Sequence, residues 1–189
     1  MRRLLLLLFT LSLLLLSGMA SAQATSTSGS FHWEAGAGAI CGAEPNACPD
    51  VAMASNGDTI RVRAQGEMNT ATKSASGGGT FEHRNSSGTL LASGTITANQ
   101  LIAFTFYGCN TDPAFPSNFC GGRAALAVHL VGHPASNPSA TVQADGILQV
   151  ECLIGSPPAG ANEGIRLNVN DRINFNKSVS GDTLFIKSS

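Results

Sequence analysis

The most constraining feature of this chain is a pair of segments, within residues 121–154, in which apolar and polar side chains alternate. The first covers residues 123–131 and the second residues 140–154. Successive side chains of a β-strand point to opposite faces, so this period of two predicts two strands, each buried on one face. Residues 133–138 between them are rich in turn formers and predict a long hairpin. The predicted inward residues are Ala124, Leu126, Val128 and Leu130 on the first strand, and Val142, Ala144, Leu148, Val150, Cys152 and Ile154 on the second.

The rest of the chain repeats this strand pattern, and no segment after the N-terminus has a helical period. Alternating or β-prone segments bring the predicted total to about nine strands, joined mostly by short links. The sequence therefore predicts an all-β domain, either an antiparallel β-barrel or a two-sheet β-sandwich. The further segments lie at residues 59–68, 80–84, 90–98, 101–107, 165–169, 173–177 and 183–187. Residues 31–33 would add a short edge strand.

The N-terminus has the three parts of a secretory signal peptide. Two arginines follow Met1, residues 4–16 are almost wholly apolar, and Ala20-Ser-Ala22 fits the small-x-small cleavage rule. We expect a signal peptide over residues 1–22 with cleavage after Ala22, a flexible leader over 23–30, and a single β domain over 31–189. The predicted location is secreted, or periplasmic in a bacterium, with no membrane segment after cleavage.

Composition narrows the range of partners. The net charge is −1 and only 12% of the residues are charged, about half the usual level. No basic stripe is visible, so nucleic acid is not an expected partner.

The five cysteines predict two disulfides and one thiol, because secretion favours oxidation. Cys41 and Cys48 bracket a short loop, and Cys109 and Cys120 bracket a longer one, so both local pairings are geometrically simple. Cys152 alternates with inward residues and is expected to be a buried free thiol. The alternative is a disulfide from Cys152 to Cys109 or Cys120. No C-x2-C spacing occurs, so no zinc site is expected.

His83 is the main candidate for chemistry, within the polar triplet Glu82-His83-Arg84. If Phe81 faces the interior, His83 does too, and it would be a ligand contact or a general base. The alternative is a structural histidine at the end of the sheet. No paired carboxylates stand out, since Asp145 and Glu151 are predicted on a solvated face. No cofactor is expected.

Two other histidines have a spacing that would chelate a metal on a helix. On a strand, His129 and His133 would lie roughly 13 Å apart, too far for one ion. No metal site is therefore expected.

The loop between Cys109 and Cys120 offers a different kind of site. Binding residues usually lie on loops held by a rigid scaffold. The predicted contacts are Tyr107, Phe115, Phe119 and Arg123. On this basis we expect a non-enzymatic secreted protein that binds a small molecule, a carbohydrate or an extracellular surface. The alternatives are a barrel enzyme, cyclase- or isomerase-like or hydrolytic, with its site near His83, and a structural coat or matrix component.

Two asparagines fit the N-glycosylation pattern, Asn85-Ser-Ser and Asn176-Lys-Ser, and would be modified if the source is eukaryotic. Asn85 lies in a predicted turn and is the better acceptor. A change in gel mobility after glycosidase treatment is the expected observation.

Four segments of the chain are rich in glycine: Gly78-Gly-Thr-Phe-Glu-His-Arg84, Gly88-Thr-Leu-Leu-Ala-Ser-Gly-Thr95, Gly121-Gly-Arg-Ala124 and Pro158-Ala-Gly-Ala-Asn-Glu-Gly-Ile165. Together they resemble a loosely defined group of small secreted β-rich proteins. The resemblance covers roughly residues 60–186 and implies compartment and fold class, but no activity. The predicted closed meander is more distantly similar to the dirigent and allene-oxide-cyclase-like barrels, which is a likeness of fold alone.

Overall fold

The computed structural model describes residues 28–188, and most of them lie in twelve strands. A short helix, α1 (Ala39–Ala43), and a 3-10 turn (Pro45–Ala47) follow the first strand. The strands are β1 (Ser30–Ala35), β2 (Asp50–Met53), β3 (Thr59–Asn69), β4 (Ser74–Ala75), β5 (Gly78–Arg84), β6 (Leu90–Cys109), β7 (Phe119–Pro134), β8 (Val142–Cys152), β9 (Gly164–Val169), β10 (Ile173–Phe175), β11 (Lys177–Ser180) and β12 (Thr183–Lys187).

The N-terminal predictions fall mostly outside this range. The signal peptide, its cleavage site and residues 23–27 of the leader lie outside the described residues. The end of the predicted leader needs a correction, because Ser30 already belongs to β1 and pairs with Asn69 of β3.

The all-β class is confirmed, but the number of strands was underestimated. Residues 90–98 and 101–107 are one strand, β6, because irregularities near Asn99 and Ile102 absorb what looked like a turn. The prediction missed β2, β4 and β11, which are too short to show a period.

The strands pair antiparallel throughout, around the hairpin of β7 and β8. Leu126 of β7 faces Leu148 of β8 across this ladder, while β6 pairs with β7 along its whole length. The pairing closes on itself in the circuit β1–β3–β5–β6–β7–β12, since β12 pairs with both β7 and β1. The circuit is compatible with a barrel, although β10 and β11 remain at the ends of the sheet. The barrel itself stays a prediction.

Most of the inward residues that the alternation predicted lie in the core, but the prediction was wrong for Val142, which is 38% exposed near the start of β8. Ile60, Val62 and Ala64 of β3 are buried, and so are Leu126 of β7 and Leu148 of β8. Trp33, Phe31 and Phe185 fill the part of the core between β1 and β12. Each of these large side chains contributes about 1.5–3 kcal/mol on burial.

The glycines at the start of β5 lie close to the neighbouring strand. A Cβ on Gly79 would clash with the backbone carbonyl of Arg63 on β3. Glycine is therefore required because two strands approach closely here.

Both predicted disulfides are present, Cys41–Cys48 and Cys109–Cys120, and Cys152 is a buried free thiol. The second disulfide joins directly paired residues of β6 and β7. Burial, aided by the carboxyl of Glu163, raises the pKa of the Cys152 thiol to about 12. Cys152 is therefore both shielded and protonated at neutral pH.

This thiol gives a simple test of the cysteine assignment. We expect Ellman's reagent to detect no thiol in the native protein and one per chain after unfolding without reductant, because only the thiolate reacts. The Cys152→Ser variant should show none in either state. A thiol in the native protein, or three after unfolding, would contradict the assignment.

No helix within residues 28–188 is long and apolar enough to cross a membrane.

Candidate functional site

An apolar cleft lies at one end of the strand circuit. In an antiparallel sheet, strand starts and neighbouring strand ends meet at the same edge. The start of β3, the ends of β5 and β7, the start of β8 and the β9–β10 turn all meet here. The cleft is lined by Ile60, Phe81, His83, Ala92, Leu130, Gly132, Pro134, Val142, Ala144, Val169, Arg172, Ile173 and Phe175.

The cleft has a buried apolar floor and a partly open mouth, with a volume of about 180 Å³. Ile60, Leu130 and Phe175 of the floor are buried, whereas Val142 at the mouth is 38% exposed. Gly132 keeps this space open, since a Cβ there would lie 3.1 Å from the ring of Phe81. The shape is therefore that of a small pocket in the end of a β structure.

His83 brings a polar group to this apolar wall. Its Nε2 atom lies 3.0 Å from a carboxylate oxygen of Asp58, and its ring meets the ring of Phe175 edge-on. Both His83 and Asp58 are mostly buried. In the neutral tautomer whose Nε2–H donates a hydrogen bond to Asp58, Nδ1 remains an acceptor. Within the described part of the chain, Nδ1 has no hydrogen-bond partner.

The other two members of the triplet are not in the cleft with His83. Arg84 donates two hydrogen bonds to one oxygen of Glu82, at 2.8 and 3.0 Å, and one to the Gly88 carbonyl. Arg61 lies 4.0 Å from the same carboxylate. Alternation along β5 places Glu82 and Arg84 on the opposite face from His83, so Asp58 is the partner of His83.

Among the described lining residues, Arg172 is the only one besides His83 with an ionisable side chain. It follows Asp171 in the tight turn between β9 and β10, where Asp171 has a φ of 56° and the Arg172 amide donates to the Val169 carbonyl. The Arg172 guanidinium makes no hydrogen bond or ion pair with any residue in 28–188. The turn therefore holds an unpaired cation at the mouth of the cleft.

The residues predicted as loop contacts have diverse positions. Phe115 is 61% exposed near the tip of the loop, and Phe119 is half-buried at the start of β7. Asn110 braces the loop through hydrogen bonds to the carbonyls of Asp112 and Phe115. As binding contacts these side chains stay predictions.

Tyr107 and Arg123 instead converge on Glu151. The Tyr107 hydroxyl donates to Glu151 at 2.8 Å, and Arg123 donates to the same oxygen at 2.9 and 2.6 Å. Arg166 donates to the other oxygen at 3.0 Å. Burial and the Glu151 contact raise the pKa of Tyr107 to about 12, and the hydrogen bond to Glu151 raises that of Arg123.

Glu151 corrects the sequence interpretation, because it is 0% exposed and does not lie on a solvated face. Burial alone would raise its pKa, but the hydrogen bonds from Arg123, Arg166 and Tyr107 lower the pKa of this carboxyl below its ordinary value. The alternation along β8 places Glu151 on the outward face, but the side chains of Tyr107, Arg123 and Arg166 cover it. Asp145, predicted on the same face, is exposed as expected.

The remaining histidines do not assemble a metal site. His129 Nδ1 lies 2.7 Å from Asp145 across the β7–β8 ladder, and His133 Nδ1 lies 2.9 Å from the Ala140 carbonyl. No group of three or more His, Cys, Asp or Glu side chains between residues 28 and 188 is placed to hold a metal ion.

A buried acidic cluster lies away from the cleft lining. Asp50, at the start of β2, is 0% exposed, and neither carboxyl oxygen has a hydrogen-bond partner in the described chain. Burial first, and then the nearby carboxyls of Glu163 and Asp182, raise its pKa to about 9. Asp50 is therefore a neutral acid at pH 7.

The two candidate glycosylation sites both lie at the surface. Asn176, between β10 and β11, is exposed, while Asn85 is half-exposed and its side-chain oxygen accepts the amides of Ser87 and Thr89. Modification at either asparagine stays a prediction.

Sequence reasoning missed Asp58 and Arg172, which complete the cleft. Asp58 follows the Asn56-Gly57 turn, and Arg172 follows the Asn170-Asp171 turn, so each carried a local signal for a turn. Neither signal indicates which distant strand the turn meets.

Comparison with protein-family models, with curated proteins and with solved structures finds no match to this chain.

Proposed function

We propose that this protein is a secreted, non-enzymatic binding protein that takes a small, largely apolar molecule into the cleft. The observation that carries the proposal is the pocket with a buried apolar floor and His83 in its wall. Ligand sites are typically concave, mostly apolar and supplied with a few placed polar groups. The two disulfides fit an extracellular setting.

The volume of the cleft limits the size of the ligand. An apolar cavity of about 150 Å³ holds a benzene ring. At about 180 Å³, this cleft accommodates a ring or a short aliphatic chain, with any polar end at the open mouth. Large lipids and oligosaccharides do not fit inside.

His83 supplies the polar contact that orients such a ligand. Asp58 lies 3.0 Å from Nε2, so in the tautomer whose Nε2–H donates to Asp58, Nδ1 can accept a hydrogen bond from a ligand hydroxyl. A ligand hydroxyl that enters the cleft gives up its hydrogen bonds to water, and a hydrogen bond to Nδ1 replaces one of them. Among molecules of equal size, those with a hydroxyl group in this position should therefore bind more tightly.

Filling the cleft tests this proposal. Ala144 is half-buried in the wall, and we expect Ala144→Leu to abolish a thermal shift that benzyl alcohol, phenol or phenylacetate produces in the wild type. At ten times the dissociation constant, a ligand adds about 1.4 kcal/mol, or about 4 °C for a chain of this size.

The matched control is Ala103→Leu, which adds the same side chain at an exposed position of β6. It should bind the probes like the wild type. Equal shifts in the wild type and Ala144→Leu would contradict binding in the cleft, as would no shift with any of the three probes.

One observation favours a second candidate, an enzyme at the same cleft. A histidine oriented by a carboxylate is the arrangement of a general base, and His83 and Asp58 have it. Turnover of small phenyl esters that His83→Asn abolishes, with probe binding intact, would favour the enzyme. Recovery of every probe unchanged by mass spectrometry would favour the binding protein.

A further inference from the structure

The charged groups that line the cleft are basic. Within residues 28–188, the lining includes the Arg172 cation and His83 but no carboxylate. One oxygen of the Asp58 carboxylate contacts His83 Nε2 at 3.0 Å, and Asp58 is not part of the lining. An anion entering the cleft would therefore meet the Arg172 cation and no carboxylate among the described lining residues.

The position of Arg172 matches the polar end of a ligand whose apolar part fills the floor. The β9–β10 turn places the exposed Arg172 at the mouth, next to Ile173, which pairs with Val169. A guanidinium forms two parallel hydrogen bonds with a carboxylate. A ligand that carries an amide or an ammonium group in place of the carboxylate cannot form this pair. Since no described residue pairs with this guanidinium, a ligand does not have to displace a protein partner.

We propose that the cleft selects small apolar carboxylates and that Arg172 is the residue that selects them. This inference rests on the proposed function, because it names the class of ligand for the same cleft. An aryl or short alkyl group lies on the floor formed by Ile60, Leu130 and Phe175, and the carboxylate lies at the mouth.

A matched series of probes tests the selection. Phenylacetate, phenylacetamide and phenethylamine share a ring and a short arm, and differ in charge. By calorimetry at low salt, we expect the wild type to bind phenylacetate about tenfold more tightly than phenylacetamide. Phenethylamine should bind least, and added salt should weaken phenylacetate binding because the mouth is exposed.

Substitutions of Arg172 assign the preference to its side chain. Arg172→Gln should reduce the preference for the carboxylate to within about twofold, and Arg172→Lys should keep part of it, because the charge remains without the planar fork. Arg61→Gln, on an exposed face outside the cleft, is the matched control and should bind like the wild type. Unchanged melting temperatures would show that the variants fold.

The outcomes separate this inference from the proposed function. Equal binding of phenylacetate and phenylacetamide, or a preference that survives Arg172→Gln, overturns the selection by Arg172 but leaves a cleft that binds apolar molecules. If no probe binds and Ala144→Leu changes nothing, both fail. A preference for phenylacetate that Arg172→Gln removes and Arg61→Gln keeps supports the inference.

Discussion

Replacing Asp50 with asparagine is expected to stabilise the protein at neutral and alkaline pH. The folded chain keeps the Asp50 proton up to a pKa of about 9, whereas the ordinary value is 3.8. Unfolding therefore releases a proton between these pH values, and stability falls by about 1.4 kcal/mol for each pH unit across that window. By pH 7 the loss reaches roughly 4 kcal/mol, which is the upper limit of what Asp50→Asn can recover.

Urea denaturation at pH 4, 6 and 8 measures this effect. The difference between Asp50→Asn and the wild type should be near zero at pH 4 and should grow towards pH 8. Asp112→Asn, in an exposed loop position where the side-chain oxygen still accepts the Ala114 amide, should not show such a trend. A pH-independent difference for Asp50→Asn would mean that Asp50 is already ionised in the folded state.

Replacing Glu151 with glutamine is expected to change stability in the opposite direction from Asp50→Asn. We expect Glu151→Gln to lower the free energy of unfolding by about 3 kcal/mol at pH 6–7. Glu151 is fully buried and accepts from Tyr107, Arg123 and Arg166. Losing one partner of a buried charge network typically costs about 3–5 kcal/mol; the lower end applies because the Arg123 side chain is 41% exposed and returns partly to water.

The pH dependence of the Glu151 effect follows from its lowered pKa. The stabilisation by Glu151 is fully present when the pH is above the ordinary pKa of a carboxyl group. It is lost as the pH falls through the lower pKa that Glu151 has in the folded protein. The deficit of Glu151→Gln should therefore shrink in acid. Tyr107→Phe removes one hydrogen bond and should cost about 1 kcal/mol, while Glu67→Gln, at an exposed site, should change stability by less than about 0.5 kcal/mol. A deficit equal to that of Glu67→Gln would contradict the network.

The two carboxyls also show where sequence reasoning fails. Alternation along β8 correctly assigned Val150 and Cys152 to the core, but it treats every outward residue as solvated. Glu151 points outward and is nevertheless covered by the longer side chains of Tyr107 and Arg123. Asp50 opens a strand of four residues, β2, which is too short to show any period.

The cleft depends on register between strands that are distant in sequence. The turn between β7 and β8, the inward faces and both disulfides follow from local patterns, and the structure contains them. The contact of His83 with Asp58 requires that Ile60 pair with His83, and no local pattern sets that register, because β4 and its turns separate the two strands. Arg172 reaches the mouth only through the pairing of β8 with β9.

The most direct test of ligand binding in the cleft is a titration with benzyl alcohol followed by methyl NMR on the protein labelled at Ile, Leu and Val. This neutral probe leaves the role of Arg172 aside. We expect saturable shifts at Ile60, Leu130, Val142, Val169 and Ile173, which line the cleft, and none at the exposed Leu91, Ile102 and Val179 outside it. Shifts confined to the methyl groups of these three residues, or no saturable shift at all, would contradict ligand binding in the cleft.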